Sequence, residues 1–346
     1  MRSQDRFRGC LIGGAAGDAL GYAVEFMREG SIFRRYGERG ITEYELTKGQ
    51  ALISDDTQMT LFTAAGLLQG AADGCYAGAI NEASLDWLKT QEEKYPLQKG
   101  TGHSWLVNIP ELFSRRAPGN TCLAALHAGG GGTPEKPVNH SKGCGGVMRV
   151  APVGLYFNDR NREITEICRL GAEAAALTHG HMLGWLPAAV LAQIIQEVSQ
   201  DGASVPDATL HALTTAEEMW PETPESFIGL MKKALDLAAG EENDLRAIHQ
   251  LGEGWVGDEA LAIAVYCAAK YEGEFDGGLI ASVNHNGDSD STGAIAGNIL
   301  GAQVGFSGIP AKYTDHLELR DVILRVADDL WADKNMNPDL ESEAQI

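Results

Sequence analysis

Two stretches of this chain carry glycine at every fourth position. Gly9, Gly13, Gly17 and Gly21 lie in one, and Gly293, Gly297 and Gly301 in the other. Residues four apart share a face of an α-helix, so each stretch reads as a helix with a bare stripe of backbone. A glycine inside a helix costs up to ~1 kcal/mol relative to alanine. A whole stripe is explained by a second backbone packed closer than a Cβ allows, as in small-xxx-small helix contacts. The competing explanation is chance repetition in a chain with 42 glycines, and the constant spacing of four speaks against it. The chain is therefore expected to fold around helices, two of them pressed hard against neighbours.

Other patterns agree with this. Helical periodicity covers roughly 4–22, 57–70, 79–91, 165–178, 182–199, 207–218, 225–239, 258–271, 292–304 and 314–333. The runs at 183–198 and 258–271 are apolar on more than one side and read as central helices. Alternating strand patterns are scarce and no strand–helix–strand spacing occurs, so the expected class is all-α. A length of 346 residues allows two domains at ~150 each. No Pro/Ser/Gly linker divides the chain, which favours one domain over 1–335 and a solvated acidic tail over 336–346. The longest irregular stretch, 114–147, has one short helix expected at 120–127; its length suggests a functional loop, read as a lid over 114–140.

A net charge of −21 argues against non-specific binding to nucleic acid or to anionic membranes. A phosphate-bearing ligand would need a locally positive pocket. The six cysteines, Cys10, Cys75, Cys122, Cys144, Cys168 and Cys267, are scattered without CxxC pairs. They read as reduced, mostly buried thiols, and the expected location is cytoplasmic. The apolar N-terminal run is short and is broken by Asp18, so it reads as a folded helix rather than a leader. No uninterrupted apolar run of ~20 residues is found, and no membrane span is expected.

Acids gather at two of the expected helix starts. In SDDT (54–57), Asp55 and Asp56 stand between hydroxyls, whereas a helix cap needs only one acceptor. In NGDSDST (286–292), Asp288 and Asp290 alternate with Ser289 and Ser291 just before the second glycine stripe. The latter begins like an EF-hand loop, but the twelfth position, which must be a bidentate Glu, is Ile299. Each pair alone could be a cap favoured by the helix dipole. Two such sets, if brought together, would repel unless cations joined them. Carboxylate and hydroxyl oxygens suit hard divalent ions, Mg²⁺ or Mn²⁺, and two ions can share bridging carboxylates. Asp18 and Glu25 lie seven residues apart, on nearly one face if their helix continues, or else at solvent-facing ends. The glycines of SKGCGGV (141–147) could turn backbone N–H groups toward an anion. His179, in LTHGH, stands between two apolar helices, where a lone histidine is more often structural.

Taken together, GCLIGGAAGDALGYAVEF, SDDTQM, RRAPGNTC, GCGGVMRVAPVGL, LTH, LGEGWVGDEALAIAVYC and NGDSDSTGAIAGNILGA resemble, in order and along nearly the whole chain, the ADP-ribosylglycohydrolase family. The resemblance implies a roughly orthogonal all-α bundle around a dinuclear site with two Mg²⁺ or Mn²⁺. It implies Ser54, Asp55, Asp56, Asp288, Asp290 and Ser291 as metal ligands, with Ser54 and Ser291 where members often have Thr. It sets Glu25 in the place of an acid near metal or water, and Ser141, Gly143 and Gly145 in a pyrophosphate cradle. His179 matches a histidine near the nucleotide, and Gly100 and Gly102 belong to a looser match to a second ligand loop. The implied reaction is hydrolysis at the ribose anomeric carbon, releasing ADP-ribose from a modified target. Glu25, Asp55 and Asp56 are the candidates for the carboxylate that activates water. The expected substrate is ADP-ribosylarginine on protein. The alternatives are a small ADP-ribose conjugate, or an immunity protein that binds an ADP-ribosylating toxin.

Overall fold

The structure is a computed structural model that describes residues 3–98, 100–157 and 163–333; the expected tail, 336–346, lies outside them. Its first helices are α1 (Gln4–Tyr22), α2 (Glu29–Tyr36), α3 (Asp55–Gly70), α4 (Tyr76–Glu92) and α5 (Asn120–His127). There follow α6 (Ala151–Tyr156), α7 (Ile164–Ala176), α8 (Met182–Gln196), α9 (Val205–Met219) and α10 (Glu225–Ala238). The last are α11 (Asp244–His249), α12 (Gly257–Lys270), α13 (Phe275–Val283), α14 (Ser289–Val304) and α15 (Arg320–Ala332). The described residues form no sheet, only isolated bridges such as Gly143 with Val256.

The two glycine stripes face each other. A Cβ at Gly13 would sit 2.2 Å from the Gly297 carbonyl oxygen, and one at Gly17 would sit 1.9 Å from that of Gly293. Gly9 opposes Gly301 at 2.3 Å and Gly21 opposes Ser289 at 2.2 Å. Numbers rise along α1 as they fall along α14, so the pair is antiparallel. Its backbones touch along four turns, which only glycine permits. The consequence is positional: the end of α1 lies beside the start of α14.

Both runs expected to be central, α8 and α12, are buried along most of their length. Helix α8 continues into the π-helical turn Glu197–Asp201 as one helical segment of 20 residues. It is long and apolar enough to cross a membrane by composition, yet 83% of that window is buried inside the fold. Apolar surface that lipid could cover is covered here by other helices.

Four short helices, α2, α6, α11 and α13, escaped the periodicity reading because six to nine residues give too few turns for a stripe to show. The helix expected at 314–333 starts only at Arg320, after Leu319 turns left-handed at φ +57°. Among the helices that begin earlier than expected are α3, at Asp55 rather than 57, and α14, at Ser289 rather than 292. The acids themselves occupy the first turns.

Candidate active site

The start of α3 is capped from outside its own first turn. Asp18, fully buried on α1, accepts the N–H of Ser54 at 2.9 Å and that of Thr57 at 3.1 Å, together with the Thr57 hydroxyl. The Ser54 hydroxyl accepts the Asp56 N–H at 3.2 Å. Arg116 bonds the Ile53 carbonyl and pairs with Glu318, which in turn accepts the Ile53 N–H. With the orphan N–H groups of the first turn served in this way, the carboxylates of Asp55 and Asp56 are released from capping. Asp55 accepts the Gly119 N–H, at 3.1 Å, and Asp56 Oδ1 is buried with no partner. Nothing in the sequence ties Asp18 to the acids at 55 and 56. Its one local signal is that of an acid inside a Gly/Ala helix.

The start of α14 supplies the facing acids. Asp288 is its N-cap and Asp290 lies in its first turn; both accept the Ser291 N–H, at 3.4 and 3.0 Å. The Ser54 hydroxyl donates to Asp56 Oδ2 at 3.4 Å, and Ser54 also favours the ionised form of Asp290. Glu25, three residues past the end of α1, completes the group. Carboxylate oxygens of Glu25, Asp288 and Asp290 all lie within 4.8 Å of one another, and Glu25 Oε2 is buried without a partner. Of the residues expected as ligands or catalytic acids, Glu25, Asp288 and Asp290 are thus brought together, Asp55 and Asp56 lie close enough to feel the charge of Asp290, and Asp18 and Glu25 are buried rather than solvent-facing.

These acids raise one another's proton affinity. Burial first, then the charges of Asp290, Asp288 and Asp55, push Glu25 up to about 10. Burial and then Asp290 push Asp18 up to about 7, and hold Asp55, Asp56 and Asp288 well above the usual carboxylate range. The nearby cations are engaged elsewhere. Arg116 pairs with Glu318, and Arg149 donates to the Ala174 carbonyl and the Thr178 hydroxyl. Buried like charges with two unpartnered oxygens and an all-oxygen donor set fit hard divalent cations, which remove both the repulsion and the unmet hydrogen bonding.

On one flank of the acids lies the glycine loop. Ser141 meets Thr121 at 3.2 Å and accepts the Gly143 N–H. The ring of His179 faces the loop, with Nε2 3.3 Å from where a Cβ on Gly143 or Gly145 would stand. Its other nitrogen, Nδ1, is 2.9 Å from the Thr178 hydroxyl, which receives Nη2 of the buried Arg149 at 2.7 Å. An arginine N–H always donates, so this hydroxyl spends its own hydrogen on Nδ1, a better acceptor than the neighbouring Cys122 sulfur. The proton of His179 is therefore assigned to Nε2, toward the loop. Burial and the charge of Arg149 lower its basicity to about 3, so it stays a neutral donor. Cys144 ties the loop to the acids, with Sγ donating to Asp288 at 2.7 Å. No sequence pattern had marked Cys144, Thr178 or Arg149 as part of the site.

Gly100 and Gly102 are not part of this assembly. Their loop is fastened to Asp86 on α4 through the N–H groups of His103 and Ser104, and to Gln69 through the His103 carbonyl. Gln69 is fourteen residues along α3 from Asp55, about 21 Å at 1.5 Å per residue. The stretch expected as a lid is pinned near both ends, by Gly119 to Asp55 and by Asn139 to the Thr178 carbonyl. A cleft of about 890 Å³ between α2, α11 and α13, lined by Arg39, Asp244, Tyr271 and Asp276 among others, includes none of the expected site residues.

The helical fold thus buries carboxylates from three helix ends beside a glycine loop. The chain belongs to the ADP-ribosylglycohydrolase family, whose sequence model matches residues 1–339. It is 26% identical to the ADP-ribosyl-[dinitrogen reductase] glycohydrolase of Rhodospirillum rubrum, over 91% of each chain. It is 24% identical to ADP-ribosylhydrolase ARH3 of Mus musculus, over 92% of this chain and 88% of that one. A solved structure described as an ADP-ribosylglycohydrolase-related protein complex superposes with a TM-score of 0.64 at 25% identity, covering 96% of this chain and 98% of the other. The protein is an ADP-ribosyl hydrolase, acting on ADP-ribosylated proteins or ADP-ribose conjugates.

Proposed function

We propose that this enzyme removes ADP-ribose from arginine side chains of modified proteins and requires two divalent ions, Mg²⁺ or Mn²⁺. The observation that carries this reading is the buried group of Glu25, Asp288 and Asp290, within 4.8 Å of one another, with Asp55 and Asp56 close enough to feel the charge of Asp290 and with two unpartnered oxygens on Glu25 and Asp56. Asp55, Asp56, Asp288 and Asp290 with the hydroxyls of Ser54 and Ser291 would hold the cations. Bound there, the cations supply positive charge that fixes the ribose hydroxyls and offsets the acidity of the protein. The loop at Ser141, Gly143 and Gly145 and the Nε2–H of His179 receive the phosphate oxygens.

Among the three candidate bases, Glu25 is favoured. Asp55 and Asp56 lie at the positive N-terminal end of α3, which stabilises their ionised forms. Glu25 follows the negative C-terminal end of α1, which favours taking up a proton. In the proposed step Glu25, ionised once cations offset the neighbouring acids, accepts a proton from water as the water oxygen bonds to the anomeric carbon. The carbon–nitrogen bond breaks, and the proton passes to the departing guanidine.

The test is release of ADP-ribose by purified protein from a panel of arginine-, serine- and nucleic-acid-linked conjugates, with Mg²⁺ or Mn²⁺ and with chelator. Metal-dependent release from the arginine conjugate is expected. No release from any member of the panel would overturn the reading, and release from another linkage alone would replace the acceptor.

A further inference from the structure

Two large aromatic side chains are left in solvent at the edge of the carboxylate cluster. Phe26 directly follows Glu25 and is 75% exposed; Trp255 directly follows Gly254 and is 42% exposed. Their rings stack with centroids 6.4 Å apart and planes 22° from parallel. Exposed rings forgo the burial that ordinarily stabilises them, and these two come from positions 26 and 255, far apart in the chain.

The backbone under each ring is anchored. The Glu259 carboxylate accepts the N–H groups of Glu253 and Gly254 at 3.0 and 3.2 Å. The Trp255 carbonyl accepts the Cys144 N–H, and the Glu253 carbonyl accepts that of Asp288 at 2.8 Å. Gly254, at φ +81°, is packed so that an added Cβ would lie 2.7 Å from Thr292 Cγ2 and 3.5 Å from Asp288 Cβ. On the other side, Asn286 accepts the Glu29 N–H at 3.0 Å and His249 meets the Glu29 carboxylate at 2.6 Å.

The order of parts sets what this stack would meet. His179 faces Gly143 and Gly145; Cys144 links that loop to Asp288; Asp288 and Asp290 gather with Glu25; and Phe26 follows Glu25. An ADP-ribose with its phosphates at the loop and its distal sugar at the acids would carry the group on the anomeric carbon beyond them, to the rings.

We propose, resting on the hydrolase reading above, that Phe26 and Trp255 form the acceptor subsite and select a planar cationic leaving group, a guanidinium, over an alkyl hydroxyl. A guanidinium is flat and weakly hydrated and stacks on aromatic faces, most strongly on Trp. A serine oxygen has no such face to offer.

The experiment compares wild type with Phe26→Ala, Trp255→Ala and Trp255→Phe. Measured as a ratio of kcat/KM values, the preference for an arginine-linked over a serine-linked conjugate is expected to fall about tenfold in each alanine variant. In Trp255→Phe most of the preference is expected to return, and affinity for free ADP-ribose should change less than about twofold throughout. Agmatine, a free guanidinium, is expected to bind ADP-ribose-saturated wild type by calorimetry and to lose about tenfold in affinity with either alanine. The inference is overturned if linkage preference and agmatine binding ignore both substitutions. It is also overturned if ADP-ribose affinity falls in step, since the rings would then hold the nucleotide. Wild type that cleaves no conjugate defeats the hydrolase reading instead, and the agmatine titration still judges the rings.

Discussion

The acids of the site stand at two kinds of helix end. Asp55, Asp56, Asp288 and Asp290 sit at the N-termini of α3 and α14, where backbone N–H groups and the helix dipole stabilise negative charge. Glu25 sits past the C-terminus of α1, where the dipole has the opposite sign. All are pushed toward protonation by burial, but only Glu25 lacks a helix end that opposes the push. On the reading proposed above, the cluster divides its labour by placement, with four acids holding cations and Glu25, itself within 4.8 Å of Asp288 and Asp290, taking a proton. The glycine seam makes this possible, because antiparallel α1 and α14 bring the end of one helix to the start of the other.

The largest effect expected of any test falls on the N-terminal acids. Asp56→Ala or Asp290→Ala should abolish Mn²⁺ binding, followed by calorimetry, and lower turnover by at least ~10³-fold. The helical circular dichroism should be unchanged, and the metal-free protein should melt higher, because a buried like charge has gone. Retained Mn²⁺ affinity in both variants would dissolve the division of labour. Glu25→Gln should cut kcat by ~10²–10⁴-fold, the usual range for losing a general base, while Mn²⁺ affinity falls far less than in Asp290→Ala. Equal losses of affinity would make Glu25 one more ligand.

The seam can be broken directly. Gly17→Ala sets a Cβ 1.9 Å from the Gly293 carbonyl oxygen, and neither backbone can yield without parting the helices. A loss of about 3 kcal/mol in denaturant melts is expected, at the upper end of overpacking costs. Gly30→Ala meets nothing within 4 Å and serves as the silent control.

Smaller shifts sharpen the electrostatic side. Glu25 is held at about 10 in the fold and near ~4.3 in an unfolded chain. Between those values the folded protein binds the extra proton, so this contribution to metal-free stability is full below the lower value and is lost as pH rises through the window. Melting temperature without metal should therefore fall as pH rises from about 6 to 8, while the gain on adding Mg²⁺ should grow, because the ligands must be deprotonated. An apo melting curve insensitive to pH would contradict the burial of these acids. Thr178→Val removes the hydroxyl that fixes the His179 tautomer and should weaken ADP-ribose binding by about tenfold, as expected for one misplaced hydrogen bond. Thr178→Ser should restore binding, and the ¹⁵N shifts of the ring should report the tautomer in each.

Several of these features could be read in the chain itself. A period of four glycines is a statement about one helix, and SDDT and GDSDS are statements about two helix starts, so α1, α3 and α14 could be recognised from local spacing. The free cysteines, four of them buried, also follow from their scatter. Gly100 and Gly102 show the limit. A glycine-rich hexapeptide looks like a ligand loop wherever it stands, and its attachment to Asp86 and Gln69 carries no mark in the local sequence.

The sequence by itself determined that the protein is all-α, that two helices need bare backbone neighbours, and that paired acids begin two helices. Only the tertiary structure decided that the two stripes are each other's neighbour and run antiparallel. It also decided that Asp18 caps α3 and so frees Asp55 and Asp56, that Glu25 joins Asp288 and Asp290, and that Arg149 sets the proton of His179. The reason is range. Helix periodicity and capping are fixed by residues within about a turn of one another, whereas Gly13 meets Gly297 and Asp18 meets Ser54 through chain closure that no local pattern encodes.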